Sequence, residues 1–273
     1  MAKAFLTSLV FPLNLPLAPD ERSGWRGYPV FKGCTRDRKA LSCHVSVLTH
    51  GNCPHPPHTH REEEILLLLS GEVDLILPDD TALGPDRRRR LKPGQCVYYL
   101  SWFPHTIETV SREPAQYLML KWTAPYSGEG VPLAFGHFNL NVPTLPGVET
   151  AGFRIGLVFE GPTGCLRKLQ CHVSTLSPGA GYSPHTDAHD VVIVVFSGEI
   201  ETLGRRVAPH GIVFYPAGEP HGMRNPGAIP AHYVVFEFHG GECVPLWRKL
   251  GDPRRWKRKL LAVINRGGRK AQT

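Results

Sequence analysis

Short runs of alternating apolar and polar residues fill most of the chain, the period-two signature of half-buried β-strands. In the first half they predict strands at 41–48, 64–69, 72–77, 95–100, 106–110 and 116–122. In the second half the predicted strands are 153–159, 166–176, 191–197, 199–203, 211–215 and 232–238. The run Val191 to Phe196 is continuously apolar and mostly β-branched, as a strand covered on both faces should be. Pro78-Asp79-Asp80 and Gly84-Pro85-Asp86 read as turns. Residues 1–40, broken by prolines and charges, predict a lead-in strand or two, and the Pro-, Gly- and Asn-rich stretch 123–150 predicts a connection. Helical periodicity is confined to the tail. There Asp252 suits an N-cap and Pro253 the first helical position; Trp256, Leu260, Leu261, Val263 and Ile264 share a side, and Gly267-Gly268 ends the run.

The two halves repeat. Leu41-Ser-Cys-His-Val-Ser-Val-Leu48 parallels Leu169-Gln-Cys-His-Val-Ser-Thr-Leu176, His58-Thr-His60 parallels His185-Thr-Asp187, and Ser70-Gly-Glu72 parallels Ser197-Gly-Glu199. A fixed offset of 127 relates His58 to His185 and Gly71 to Gly198. An internal repeat on this scale predicts two copies of one folding unit.

Within the first copy, Gly51, His58, His60, Glu64 and Gly71 stand as Gly-x6-His-x-His-x3-Glu-x6-Gly, and His105 closes a later segment that begins Lys92-Pro93-Gly94. On an extended chain His58, His60 and Glu64 point to one side, and a later strand can add His105. Three imidazoles and a carboxylate suit a divalent Fe, Mn, Ni, Cu or Zn ion, with coordination positions left open. Glu62 shares the parity of Glu64 and is expected as a neighbouring acid or general base, whereas Glu63 should point outward. His50 and His55 read as loop histidines.

This pattern resembles the two signature motifs of the cupin superfamily, and its repetition resembles a bicupin. The resemblance implies an all-β chain of two tandem cupin (double-stranded β-helix, jelly-roll) barrels with a short basic C-terminal helix. The expected organisation is 1–123 for the N-terminal barrel with its lead-in, 124–150 for the linker, 151–245 for the C-terminal barrel and 246–273 for the basic tail. It also implies that His58, His60, Glu64 and His105 hold the metal. Leu100 and Trp102 stand where the family pattern has Pro and Gly, which puts the loop before His105 in question.

The second copy departs further. His185 and His221 keep their places, but Asp187 replaces the second histidine and Val191 the glutamate. A second metal set is expected from His185, Asp187, His189 and His221. Tyr182 and Arg224 are expected to line a substrate pocket, Arg224 as a bidentate partner for an anion.

Charge and cysteine content narrow the setting. The chain has 31 basic and 24 acidic residues, but ten of the basic ones and a single acidic one fall between Arg248 and Lys270. The rest, 21 basic against 23 acidic, is slightly acidic, so the basicity belongs to the tail, which could meet an anionic partner. The Arg87–Arg90 run is expected as a solvated loop. Seven cysteines without a Cys-x2-Cys pair argue against a disulfide framework or a thiolate zinc site and for a reducing, cytoplasmic setting. No apolar run approaches the ~20 residues of a membrane helix, and Pro12 and Pro16 interrupt the apolar opening that a secretory leader would need. No helix-turn-helix signal points to nucleic acid.

Three functions remain open on sequence alone. One is a metal-dependent enzyme on a small anionic organic substrate, dioxygenase-type oxidoreductases leading. The others are a non-redox isomerase, lyase or hydrolase, and a non-catalytic sugar- or metabolite-binding bicupin. A monomer or homodimer is expected, since cupin edge strands commonly pair and a two-barrel chain can mimic a dimer on its own.

Overall fold

The structure is a computed structural model and describes residues 4–77, 88–124, 131–141, 147–150 and 152–240. The tail helix expected beyond residue 245 lies outside the described residues. The first ten strands are β1 (Leu9–Phe11), β2 (Trp25–Gly33), β3 (Ala40–Leu48), β4 (Glu63–Ser70), β5 (Val73–Ile76), β6 (Arg88–Leu91), β7 (Gln95–Tyr99), β8 (Thr106–Thr109), β9 (Ala115–Thr123) and β10 (Gly136–Asn139). The second ten are β11 (Val148–Thr150), β12 (Phe153–Gly161), β13 (Lys168–Leu176), β14 (Gly181–His185), β15 (Asp190–Ser197), β16 (Ile200–Thr202), β17 (Arg205–Val207), β18 (Ile212–Tyr215), β19 (His221–Arg224) and β20 (Ala231–His239).

They form two jelly-roll barrels, each a large sheet facing a small one. The large sheets run β10-β7-β4-β9-β3-β2 and β1-β18-β15-β20-β13-β12-β11; the small ones run β6-β5-β8 and β14-β19-β16-β17. Alternation along each strand divides the apolar residues between two destinations. On β4, Leu66 and Leu68 fill the first barrel, while Ile65, Leu67 and Leu69 face the other way. The second barrel is filled in the same manner by Val191, Ile193 and Val195, and Val192 and Val194 face out. The outward faces of the two large sheets meet back to back in one shared core that includes Trp122, Phe214, Phe236 and Phe238. This double coverage is why Val191–Phe196 carries no polar alternation, and each large side chain it buries contributes about 1.5–3 kcal/mol.

The repeat extends to the edges. β1 precedes the first barrel yet pairs with β18 of the second, Leu9 opposite Phe214. β10, within the stretch expected as linker, pairs with β7 of the first barrel, Phe138 opposite Cys96. Leu9 and Gly136 are separated by the same offset of 127, so each copy lends its leading strand to the other barrel.

The junction also holds a buried polar exchange. Glu63 is fully buried and accepts hydrogen bonds from Thr163 Oγ1 at 2.7 Å, Trp122 Nε1 at 2.9 Å and the Cys165 amide at 3.1 Å. Its counterpart Asp190, 127 positions on, accepts from Thr35 Oγ1 at 2.7 Å and the Ala217 amide at 2.9 Å. Thr35 and Thr163 occupy matching hairpin turns, so each barrel satisfies the other's buried acid. Arg38, 2% exposed, lies near both carboxylates and donates to the Phe238 carbonyl.

One expectation about loops is corrected. Arg88–Arg90 form a strand, because cross-strand carboxylates hold them: Arg88 bonds Glu108 at 2.7 Å and Arg90 bonds Asp74 at 2.6 Å. Arg87 lies outside the described residues. Among the described residues, no helix is long and apolar enough to cross a membrane. Cys43 and Cys171, on matching strands, are buried thiols of the shared core, and burial pushes the Cys53 thiol up, against a reactive role.

Candidate metal centre

At the open end of the first barrel, two backbone hydrogen bonds tie His58 to His105, the amide of each donating to the carbonyl of the other at 3.3 and 3.2 Å. His60 follows on the same face, and one nitrogen from each of the three imidazoles lies within 4.8 Å of the others. β4 then presents Glu64, fully buried, beneath them. His60 Nε2 is 3.1 Å from Glu64 Oε2, and His105 Nε2 is 3.8 Å from Glu64 Oε1.

The far sides of two rings settle what the near sides offer. His60 Nδ1 donates to the Glu62 carbonyl at 3.0 Å and His105 Nδ1 to the Phe103 carbonyl at 2.8 Å. In the neutral rings each Nε2 is then a lone pair aimed at a carboxylate. Beside His60 the Lys121 ammonium already supplies a cation, but His105 Nε2 and Glu64 Oε1 face each other as acceptors, an arrangement that a bound cation would satisfy. His105 Nε2 and Glu64 Oε1 are both buried and without a hydrogen-bond partner, as is His58 Nδ1. The donor set therefore fits a divalent ion.

Electrostatics favour the ligand forms. Burial pushes Glu64 up, but the polar and charged groups around it, His60 and Lys121 foremost, outweigh it and hold the carboxyl down at about 2. Burial and the neighbouring imidazoles lower His58 to about 4. Burial likewise lowers His105 and His44. Tyr99 stacks on the His105 ring, centroids 4.2 Å apart, and fixes its plane.

Lys121 escaped the sequence reading. It stands opposite Glu64 on β9, with Nζ 2.9 Å from Glu64 Oε2 and 3.4 Å from His60 Nε2. Parity along the last strand of the barrel was the signal that could have found it. Glu62 lends His60 its backbone carbonyl, while its half-buried carboxylate is 3.7 Å from the same ring. His55 packs edge-on to His58, and His50 bonds the Ser111 carbonyl in the open. Trp102 takes the left-handed conformation (φ 63°) that Gly218 takes in the second copy (φ 86°). Their amides make matching bonds, Trp102 to the His60 carbonyl and Gly218 to the Asp187 carbonyl, both at 2.7 Å, so the loop reaches His105 without glycine.

The second barrel contains a cavity of about 380 Å³ walled by Tyr182, Tyr215, Tyr233 and apolar residues. His185, Asp187 and His221 come together at it, with Asp187 3.2 Å from His221 Nε2 and 3.7 Å from His185 Nε2. His221 repeats the His105 arrangement: Nδ1 donates to the Glu219 carbonyl at 3.0 Å, and Tyr215 stacks on its ring at 4.0 Å. His189 is not grouped with these three. It sits with His239 about Glu237, a carboxylate that stands opposite Val191 as Lys121 stands opposite Glu64. Arg224 lies outside the cavity wall, its exposed guanidinium forked onto Glu201 at 2.9 and 3.0 Å, because β19 turns it away from the interior.

Comparison with known proteins bears on the fold. Residues 44–121 match the family model described as Cupin domain. The chain resembles a variant of oxalate decarboxylase from Bacillus subtilis, at 13% identity and a TM-score of 0.60, over 88% of this chain and 79% of that one. A second structure of that enzyme, described for its Mn(II) centres, is 14% identical with a TM-score of 0.60 and the same coverage. A putative glyoxylate-induced protein from Pseudomonas aeruginosa is 11% identical with a TM-score of 0.62, over 86% of this chain and 90% of that one. No curated protein matches the chain. At such identities the likeness is one of fold: the chain has the architecture of the cupin superfamily.

Proposed function

We propose that this chain is a metal-dependent bicupin enzyme of the dioxygenase type, acting on a small anionic organic substrate at the first-barrel centre. The observation that carries the reading is the buried pair His105 Nε2 and Glu64 Oε1, two acceptors without partners facing each other across a cluster of imidazoles. His58, His60, Glu64 and His105 would hold the ion. When bound, a divalent metal supplies Lewis acidity and, as Fe(II), redox chemistry with open coordination positions. The chain's own residues do the rest. Glu64 offsets the ion's charge, the Glu62 and Phe103 carbonyls fix the rings, and Tyr99 holds His105 in plane. Lys121 places a cation beside the centre, where it favours an anionic group on the substrate. Glu62, half-buried beside His60, is the available proton acceptor.

A non-redox reading has one specific support, the fold likeness to oxalate decarboxylase, one structure of which is described for Mn(II) centres. An oxygen electrode separates the two. Chain loaded with Fe(II) or Mn(II) is offered a panel of small hydroxylated aromatic acids and short dicarboxylates, oxalate included. Substrate-dependent O₂ uptake that is lost in Glu64→Gln is expected. Turnover without net O₂ consumption would replace the oxidoreductase reading with a lyase or isomerase.

A further inference from the structure

The second barrel carries a cluster that its position in the repeat does not predict. The strand β20 lies between β13 and β15, and on it Glu237 stands opposite Gln170 and Val191. In the first barrel the same register position is Lys121, opposite Ser42 and Glu64. The two copies thus place a carboxylate on different strands: Val191 stands where the first copy has Glu64, and Glu237 where it has Lys121. A cationic side chain in one barrel is a carboxylate at the same register position in the other.

Three imidazoles converge on that carboxylate, all through Nε2. His239 lies 2.7 Å and His189 3.3 Å from Oε2, and His172 lies 3.2 Å from Oε1. Metal bonds of about 2.0–2.2 Å, set at angles between square and tetrahedral, place neighbouring donors roughly 2.8–3.6 Å apart; the His189 and His172 spacings fall in that range, and the 2.7 Å of His239 lies just below it. Nitrogens of His189 and His239 and an oxygen of Glu237 all fall within 4.8 Å of one another. The His189 and His239 rings lie face to face, centroids 3.9 Å apart, presenting adjacent nitrogens to one point. His172 is steadied from behind by Ser174 Oγ, 3.1 Å from its Nδ1, the outer support that ligand histidines use. His172, His189 and Glu237 line the cavity of about 380 Å³, so an ion there would have a route in and a free coordination position.

We infer that the second barrel binds a divalent metal ion between His189, Glu237 and His239, with His172 as a fourth donor, one strand away from the place that the repeat assigns. Nitrogen-rich donors with a single carboxylate select an ion of the zinc or cobalt kind over magnesium or calcium. The site is separate from the His185, Asp187 and His221 group and does not depend on the first-barrel centre.

Equilibrium dialysis against Zn(II) or Co(II), with metal counted per chain, tests it. Glu237→Gln should bind one equivalent fewer than the wild type. A His105→Ala/His221→Ala chain, with both motif positions disabled, should retain one equivalent, and adding Glu237→Gln should remove it. His239→Asn serves as a second variant if Glu237→Gln does not fold. The visible absorption of bound Co(II) should vanish with that equivalent. Equal metal counts in wild type and Glu237→Gln would overturn the inference and leave a hydrogen-bonded cluster. So would a His105→Ala/His221→Ala chain that binds no ion.

Discussion

At the scale of single residues, the first-barrel centre is a set of groups held in the protonation states a metal requires. His58, lowered to about 4 from an ordinary 6.5, is neutral in the fold over a range where the unfolded chain takes up a proton. Its contribution to stability is therefore complete above about pH 6.5 and declines as pH falls toward 4. Glu64, held at about 2 against an ordinary 4.5, has the same sign lower down: its contribution is present above 4.5 and lost as pH falls toward 2. Melting of the metal-free protein should thus show wild type losing ground against His58→Asn as the buffer moves from pH 7 to 4. A difference that stays flat across that window would mean that His58 is not neutralised by its surroundings.

At the scale of elements, strands position chemistry through parity, and parity was legible in the sequence wherever a motif fixed the start. His58, His60 and Glu64 share a face, Glu63 takes the other, and His105 reaches the group despite Trp102. Legibility failed where the deciding contact comes from another strand. No motif surrounds Lys121 or Glu237, and parity alone puts each on the inner face; each matters because the register sets it opposite Glu64 or Val191. His189 keeps the expected parity, yet the carboxylate of Glu237 draws it to a different group. Glu63 was assigned outward, but outward here is the other barrel, where Thr163 and Trp122 satisfy it. Thr163→Val removes one of those donors from a buried carboxylate and should cost about 1–3 kcal/mol in chemical denaturation. Thr35→Val, acting on Asp190, should cost a similar amount. If both variants unfold at the wild-type midpoint, the reciprocal exchange does not stabilise the junction.

At the scale of the whole molecule, the barrels are bound by a common core and by exchanged leading strands. β1 covers the edge of the second barrel, and Ser8 adds hydrogen bonds from its amide and hydroxyl to Glu219 Oε2, at 2.8 and 2.5 Å. Deleting residues 1–12 should therefore loosen the distant C-terminal half. Amide exchange should accelerate in 212–215, with β3 and β9 of the first barrel less affected. Unchanged protection in 212–215 would contradict the exchange. The repeat itself was plain in the sequence, but which strand covers which edge was not, since β1 and β10 are only three and four residues long and nothing in their pattern assigns them to one barrel rather than the other.

The central claim is that the four first-barrel residues hold a metal. It is tested most directly by counting metal in protein purified without chelator or metal-affinity resin, beside Glu64→Gln, His58→Ala, His105→Ala and His50→Ala. Wild type and His50→Ala should carry the first-barrel ion, and the other three should each lack one equivalent. Equal metal content in all five, or a wild type that takes up no Fe(II), Mn(II), Ni(II) or Zn(II), would contradict the account.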